Sequence, residues 1–251
     1  MSETLDTWER LRRLTRARIG LGRAGDGLPT RALLDFQMAH AAARDAVHGA
    51  GDFEGVAAAL APREVIRLAS AAPDRPTYLR RPDLGRRLAE GEVEKLPAGP
   101  FDVVFVIGDG LSAAAVDANA VATLEATARR LDGLTIGPVV LARQARVALG
   151  DIVGAAMNAA VVAVLIGERP GLTAADSLGA YLTFRPVPGR KDSERNCLSN
   201  IHAHGQSPEE AGHKLAWLIR EALRLKLTGV ELKEAAPKFA IEGGEATRIG
   251  R

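Results

Sequence analysis

The stretch VVAVLIGERPG, from Val161 to Gly171, decides the fold of this chain. It begins with six consecutive apolar residues, three of them valine, and ends in a charged turn that contains glycine and proline. A short apolar run that stops at turn residues is typical of a buried parallel strand. Ligands of parallel sheets bind beyond the carboxyl ends of the strands. Glu168 and Arg169 are therefore candidates for holding a polar ligand, although an ordinary solvated loop pair would give the same pattern.

The sequence before this stretch predicts strands that alternate with helices. DVVFVI at 102–107 and the apolar residues 139–142 predict two strands, and a helix capped by Ser112 is expected between them. A second helix, beginning at residue 150 or 151, leads into the opening stretch. This alternation predicts an α/β fold of Rossmann or flavodoxin type with a mostly parallel sheet. Further elements are predicted on either side, namely strands at 64–71 and 178–184 and a helix at 208–225.

The first 62 residues predict a helical region placed before the sheet. Apolar residues at helical spacing indicate an amphipathic helix over 5–18 and a helix with one buried stripe over 30–49. The glycines between them match GxGxxG, but no strand precedes them, so a connecting loop is expected. A short helix over 52–60 and a helix beginning at Pro82 are also predicted. The expected organisation is residues 1–62 helical, 63–233 an α/β domain and 234–251 a poorly ordered tail.

Composition excludes several classes of protein. The chain has 251 residues, of which 47% are hydrophobic and 25% charged, and a formal charge of +2. This balance gives no basis for nucleic-acid binding. The single cysteine, Cys197, excludes an intrachain disulfide framework and indicates a reducing compartment. No apolar run has the roughly 20 residues that a membrane helix needs, and no signal peptide is evident, so a cytoplasmic protein without a membrane partner is expected.

Few local motifs carry chemistry by themselves. GxxxxGK[ST] and GxSxG are absent, which removes the usual support for nucleotide hydrolysis and esterase chemistry. Asp109 follows a predicted strand and precedes a helix, where an anion could bind, but shaping the turn is its simpler role. An arginine-rich segment suits either phosphate binding or a subunit interface, and the sequence leaves both open. Its members are Arg75, Arg80, Arg81, Arg86 and Arg87.

The segment RNCLSNIHAHG, from Arg195 to Gly205, collects the cysteine and two histidines and is expected to be a loop. A Cys197–His202 nucleophilic pair has no third residue to activate it. NIHAHG nearly matches DxHxxG, the motif in which a histidine ligates cobalt in some cobalamin enzymes. Asn200 replaces the aspartate that would orient the imidazole, so His202 is not assigned as a cobalt ligand.

Six segments of the chain together match one known family. They are TRARIGLGRAGDGLPT, FQMAHAAARDAVH, DGLSAAAV, RVALGD, GERPGL and CLSNIH, and they lie between Thr15 and Gly229. With these motifs the chain resembles the small (light) subunit of ethanolamine ammonia-lyase, an adenosylcobalamin-dependent enzyme. GERPGL with CLSNIH downstream is the specific combination. The chain departs from the family pattern in a short start and in the tail after residue 233, which carry no motif.

The resemblance implies a small subunit that closes over cobalamin held against a large TIM-barrel subunit. Three cofactor contacts carry over by motif, namely Val147 of RVALGD, Glu168 of GERPG and Cys197 of CLSN. All three are expected in loops beyond the carboxyl edge of the predicted sheet. The Glu168 carboxylate can accept from the amide groups of a corrin rim, whereas Val147 and Cys197 would contribute main-chain atoms or apolar contact. Neither a catalytic nor a metal-ligating residue is expected in this chain.

In that family the cofactor's Co–C bond breaks homolytically, and ethanolamine is converted to acetaldehyde and ammonia. The resemblance implies a large (heavy) subunit that binds ethanolamine, six copies of each subunit, and a cytoplasmic location with a bacterial microcompartment as an option. Two other functions stay open. One is a non-catalytic assembly protein with a Rossmann-like domain, and the other is a free-standing nucleotide-dependent enzyme, which the missing phosphate loops disfavour.

Overall fold

A six-stranded sheet forms the centre of the computed structural model, which describes residues 7–15 and 17–237. The strands lie in the order β1-β3-β2-β4-β5-β6. The four strands β1 to β4 pair in parallel, whereas β5 is antiparallel to both of its neighbours. Their bounds are β1 Val65–Ala69, β2 Phe101–Gly108, β3 Val139–Arg143, β4 Ala159–Gly167, β5 Leu178–Phe184 and β6 Asn196–Ile201.

The described residues form seven α-helices. Each of the predicted strands exists, and the helix predicted at 208–225 has those bounds. The Ser112 hydroxyl caps its helix by accepting from the Ala115 N–H at 3.2 Å. The helices are α1 Thr7–Leu14, α2 Thr30–His48, α3 Phe53–Ala59, α4 Arg75–Arg80, α5 Ala113–Ala128, α6 Leu149–Ala156 and α7 Pro208–Leu225.

The alternating side chains of β4 separate two cores. Val161, Ala163 and Leu165 face the larger core, which α5 and α7 cover. Val162, Val164 and Ile166 face a smaller core, covered by α6. Both faces of β4 are therefore buried, which explains why its sequence is a continuous apolar run instead of an alternating one.

The strand order reverses direction at β2. The chain passes from β2 through α5 to β3 on one side, then through α6 to β4 on the other side of β2. In open α/β sheets such a reversal opens a crevice beyond the strand ends. The predicted mostly parallel α/β class with an N-terminal helical region is confirmed. The complete order matches neither the six-strand Rossmann order nor the five-strand flavodoxin order, so those specific fold types are not confirmed.

The N-terminal helices differ from the prediction in their burial. Helices α1, α2 and α3 exist, and the glycine motif forms a loop between the first two. The predicted buried stripe of α2 is wrong, because no residue of α2 is buried and Leu34 is 52% exposed. The predicted start of the first helix at Leu5, the position of Arg16 and residues 238–251 of the predicted tail lie outside the described residues.

Two further predictions are wrong in their local structure. The helix expected from Pro82 is only a short 3-10 turn over Leu84–Arg86, and the α-helix begins earlier because Asp74 caps it by accepting from the Thr77 N–H at 2.7 Å. The loop expected from Arg195 contains β6, so Cys197 lies within an edge strand and not beyond the sheet. Leu198 and Ile201 of this strand are buried in the larger core, and this burial stabilises β6.

Candidate functional site

A cavity of about 400 Å³ lies at the carboxyl ends of β2 and β4. We call it the edge hollow. Two of the three predicted cofactor residues, Val147 and Glu168, line it, and Tyr181 lies between Glu168 and the third. The complete lining is Tyr78, Gly110, Leu111, Arg146, Val147, Ile166, Gly167, Glu168, Arg169 and Tyr181.

Two glycines let the turns that follow β2 and β4 meet. Gly110 has a φ of +56°, in the left-handed region that favours glycine. A Cβ at Gly110 would overlap the Gly167 carbonyl oxygen, and one at Gly167 would overlap the Ser112 carbonyl oxygen. The Leu111 N–H donates to the Gly167 carbonyl at 2.9 Å. The main chains of the two turns are therefore in direct contact where they line the edge hollow.

Glu168 lines the edge hollow, and only one of its two carboxylate oxygens has a hydrogen-bond partner among the described residues. Its Oε2 accepts from the Ser177 hydroxyl at 2.6 Å and from the Asn200 N–H at 3.2 Å. Its Oε1 has no hydrogen-bond partner among the residues that the structure describes. Gly179 makes room for this side chain, because a Cβ there would lie 3.0 Å from Oε1. Glu168 is thus held by one oxygen and can accept a ligand hydrogen bond with the other.

Val147 lies in the turn that leads into α6. Its carbonyl accepts from the Gly150 N–H at 3.0 Å. The N–H groups of Val147 and Ala148 make no hydrogen bond to the described part of the chain. Such unsatisfied donors are usual at the beginning of a helix, where they attract oxygen acceptors. Val147 can therefore offer a main-chain donor and an apolar side chain at one position.

Cys197 adjoins the edge hollow through Tyr181. The two residues are directly opposite on β5 and β6, and their side chains interact. Cys197 is exposed, but the surrounding protein desolvates its thiolate, and this raises the pKa of the thiol. The hydrogen bond with Tyr181 lowers this pKa, and the nearby Glu168 carboxylate raises it further. Burial likewise raises the pKa of Tyr181. The pair stays uncharged at neutral pH and offers a thiol and a phenol to a ligand.

A buried ion pair holds β6 against α6. Both Arg195 guanidinium Nη atoms donate to the Asp151 carboxylate at 2.6 Å, and Nη1 also donates to the Thr183 hydroxyl at 2.8 Å. The side chains of Arg195 and Asp151 are 2% and 1% exposed. Since Asp151 follows Val147 by one helical turn and Arg195 precedes Cys197 by two residues, this pair fixes the two predicted contacts relative to each other.

Asp109 and Arg75 have structural roles at the rim of the edge hollow. The Asp109 Oδ1 accepts from the Ala145 N–H at 3.2 Å, and burial raises the pKa of this carboxyl. Arg75 donates to the carbonyls of Val47 and Gly110 at 2.7 and 2.8 Å. These bonds join the end of α2 to the turns after β2 and β3. Asp109 therefore shapes the turn, which was the simpler of its two predicted roles.

The histidines of the last motif form a closed arrangement. His202 is 4% exposed, and its Nδ1 accepts from the His204 N–H at 3.2 Å. Its Nε2–H accordingly donates to the Asn200 Oδ1 at 2.8 Å. Both ring nitrogens are used within the protein, so the asparagine that replaces the motif's aspartate holds a structural histidine. Across the described residues, no group of three or more His, Cys, Asp or Glu side chains is arranged to hold a metal ion.

Sequence reasoning did not find Tyr78, Arg146 or Tyr181. Tyr78 is fully buried, and its hydroxyl donates to the Ala145 carbonyl at 2.9 Å. The Arg146 guanidinium carbon lies 4.3 Å from the centroid of the Tyr78 ring. Arg146 could have been proposed as a site residue because it directly precedes Val147 in the motif RVALGD. The stacking on Tyr78 joins residues 68 positions apart and has no local pattern.

Comparison with known proteins agrees with the resemblance. A family model described as the ethanolamine ammonia-lyase light chain matches residues 5–233. The chain is 54% identical over 232 residues to the ethanolamine ammonia-lyase small subunit of Bradyrhizobium diazoefficiens, covering 89% of each protein. The small subunit of Xanthomonas campestris pv. campestris is 52% identical over 244 residues, covering 93% of this chain and 89% of that protein.

The small subunit of Rhodopseudomonas palustris is 52% identical over 238 residues, and the match covers 92% of this chain and 91% of that protein. No helix in the described part of the chain is long and apolar enough to cross a membrane. The matches extend over nearly the whole sequence and include the loops that line the edge hollow. The chain belongs to the ethanolamine ammonia-lyase small-subunit (light-chain) family.

Proposed function

We propose that this chain binds adenosylcobalamin at the edge hollow and, with a large subunit, converts ethanolamine to acetaldehyde and ammonia. The observation that carries the proposal is the convergence of three motif residues. Val147 and Glu168 line one cavity, and Cys197 contacts a third residue of its lining. These residues come from three separate segments, and two of them, Val147 and Glu168, lie at the carboxyl edge of the sheet, where a ligand is expected.

The unused polar groups of the edge hollow fit the rim of a corrin ring. Corrin side chains end in amides, which need both acceptors and donors. The Glu168 Oε1 supplies an acceptor, and the N–H groups of Val147 and Ala148 supply donors. Pockets of roughly 300–1,000 Å³ enclose drug-sized ligands, and cobalamin is larger than these, so a hollow of about 400 Å³ suits one edge of the ring. A second protein must then cover the rest, which agrees with the term small subunit.

The residues of this chain bind and orient, and the cofactor performs the difficult step. When bound, adenosylcobalamin supplies the radical that starts the deamination. Glu168 would fix the orientation of the ring by accepting from a rim amide, and its Ser177 and Asn200 contacts would hold the carboxylate in place. Tyr181 and Cys197, both protonated at neutral pH, would exclude water from the rim without adding charge. Ethanolamine would contact the large subunit.

Reconstitution tests the proposal. The purified chain is combined with the large subunit and adenosylcobalamin, and acetaldehyde formation from ethanolamine is measured with each component omitted in turn. We expect turnover only when all three are present, and the mass of the complex tests the expected six copies of each subunit. Turnover that is independent of this chain would contradict the proposal and favour the non-catalytic assembly protein.

A further inference from the structure

Arg146 is a partly buried cation at the rim of the edge hollow. Its side chain makes no hydrogen bond or ion pair with any residue that the structure describes, and its Nε is buried. Its one contact of note is with the Tyr78 ring, at 4.3 Å. Buried polar atoms are nearly always paired, and leaving one unpaired costs about 1–3 kcal/mol. An arginine kept in this state therefore points to an acceptor that is not among the described residues.

The surroundings of Arg146 hold it in position. Its backbone N–H donates to the Gly85 carbonyl at 2.8 Å. A Cβ on Gly85 would lie 2.8 Å from the Tyr78 ring and 2.9 Å from the Arg146 Cγ, so only glycine permits this packing. The Tyr78 hydroxyl is itself fixed on the Ala145 carbonyl. The guanidinium plane is thus placed before any ligand arrives, which reduces the entropy cost of binding.

A second cavity of about 320 Å³ adjoins the edge hollow, and Arg146 and Val147 line both. We call it the basic cleft, because Arg86, Arg190 and Lys191 also line it, against the one carboxylate of Asp192. Arg190 is already paired with Glu194. Arg86 lines the cleft, and its side chain makes no hydrogen bond or ion pair with the described residues. Two guanidinium groups are therefore available to one anion.

We propose that the basic cleft, through Arg146 and Arg86, binds the phosphodiester of the cobalamin nucleotide loop. This inference rests on the proposed function, because it places a second part of the same ligand. Guanidinium groups match the oxygens of a phosphate, and cobalamin carries a single phosphodiester at some distance from its ring. Two adjoining cavities, one with amide-binding groups and the other with free cations, suit a ligand that has an amide-rich ring and one tethered anion.

Cobinamide provides the test, since it has the corrin ring but lacks the nucleotide loop and its phosphate. The complex with the large subunit is titrated with cyanocobalamin and with dicyanocobinamide, and binding is followed by absorbance. We expect Arg146→Gln to weaken cyanocobalamin binding about 10- to 150-fold, the range for a hydrogen bond to a charged group. Dicyanocobinamide binding should change less than about two-fold. Arg86→Gln, at an exposed position, should act in the same direction with a smaller effect and without risk to folding.

Arg224→Gln is the matched control, because Arg224 is an exposed arginine on α7, at the opposite face of the sheet. It should leave both affinities unchanged. Equal losses for the two ligands in Arg146→Gln, or no loss for either, would overturn the phosphate subsite while leaving the edge hollow intact. A wild-type complex that binds neither ligand would instead contradict the proposed function. Thermal unfolding of each variant in the complex identifies losses that come from misfolding.

Discussion

The two faces of the sheet differ in how completely they are covered. On one face, α5 and α7 enclose a large core in which Leu124, Leu215 and Ile219 are fully buried. On the other face, the eight-residue α6 covers only part of the sheet and leaves the edge hollow and the basic cleft beside it. Arg146, whose buried Nε has no partner among the described residues, lines both of these cavities. We therefore propose that one face of the sheet serves mainly stability and that the other face binds the ligand.

This separation predicts that substitutions on one face change stability and those on the other change cofactor affinity. The Arg195–Asp151 pair is the exception, because it is buried and also positions β6 beside α6. Measuring both stability and cofactor affinity in variants of each face therefore tests this prediction.

Asp151→Ala should have the largest effect. It leaves the Arg195 guanidinium buried without its carboxylate, and breaking such a pair costs about 3–5 kcal/mol of the free energy of unfolding. Cofactor affinity should fall as well, since β6 loses its attachment to α6. Urea unfolding measures the first effect. Asp192→Ala is the control for stability, because its carboxylate lies 3.7 Å from the same guanidinium but is 98% exposed, and it should change stability by less than about 0.5 kcal/mol.

Leu215→Ala should affect stability alone. The side chain is fully buried between α7 and the sheet, and its removal should cost about 2–5 kcal/mol. Under conditions where the variant is folded, its affinity for cobalamin in the complex should equal that of the wild type. Leu225→Ala, on the same helix and 42% exposed, should change neither quantity appreciably. A large loss of cofactor affinity in folded Leu215→Ala would show that the two faces are coupled.

Glu168→Ala should show the reverse pattern. Loss of a charged hydrogen bond to the cofactor should weaken cobalamin retention by about 1.5–3 kcal/mol. The variant should remain folded, because Glu168 is only partly buried and lies at the sheet edge. Equilibrium dialysis of the complex with cyanocobalamin measures the affinity. Glu221→Ala on α7 is the control, and an unchanged affinity in Glu168→Ala would remove this residue from the site.

Tyr78→Phe should have the smallest effect, and one that depends on pH. Burial raises the pKa of Tyr78 from its ordinary value of 10 to about 12, so the folded state favours the protonated phenol. Its contribution to stability is complete below pH 10 and is lost as the pH rises toward 12. At pH 8 the variant should lose about 1 kcal/mol with the hydrogen bond to Ala145. Urea midpoints measured from pH 8 to pH 11 should fall less steeply for the variant than for the wild type.

Much of the sheet could be predicted from the sequence, because β2 and β4 are apolar runs that end at glycine turns. The antiparallel placement of β5 could not, since a buried strand has the same pattern in either direction. The spacing in α2 correctly indicated a helix, but periodicity does not reveal whether anything in the chain covers the apolar side. In α4, the capping Asp74 was the correct signal, and the density of proline and arginine concealed it.

The site was only partly predictable. The motif resemblance and the strand-end argument both indicated Val147 and Glu168, and the structure places them in one cavity. Cys197 was expected in a loop, and the sequence of β6 lacks the alternation of a regular strand, because its pairing with β5 contains a register shift between Leu178 and Ala180. Arg146 and Tyr78 meet only through the tertiary fold, so no local pattern indicated their contact.

Hydrogen–deuterium exchange of the complex, with and without cyanocobalamin, tests the central claim most directly. The claim is that a corrin ring binds at the carboxyl edge of β2 and β4 through groups that have no partner among the described residues. We predict slower exchange at the Val147 and Ala148 amides and in the segment around Glu168, with no change in α7. Protection confined to α5 and α7, with unchanged exchange at Val147 and Ala148, would contradict the account.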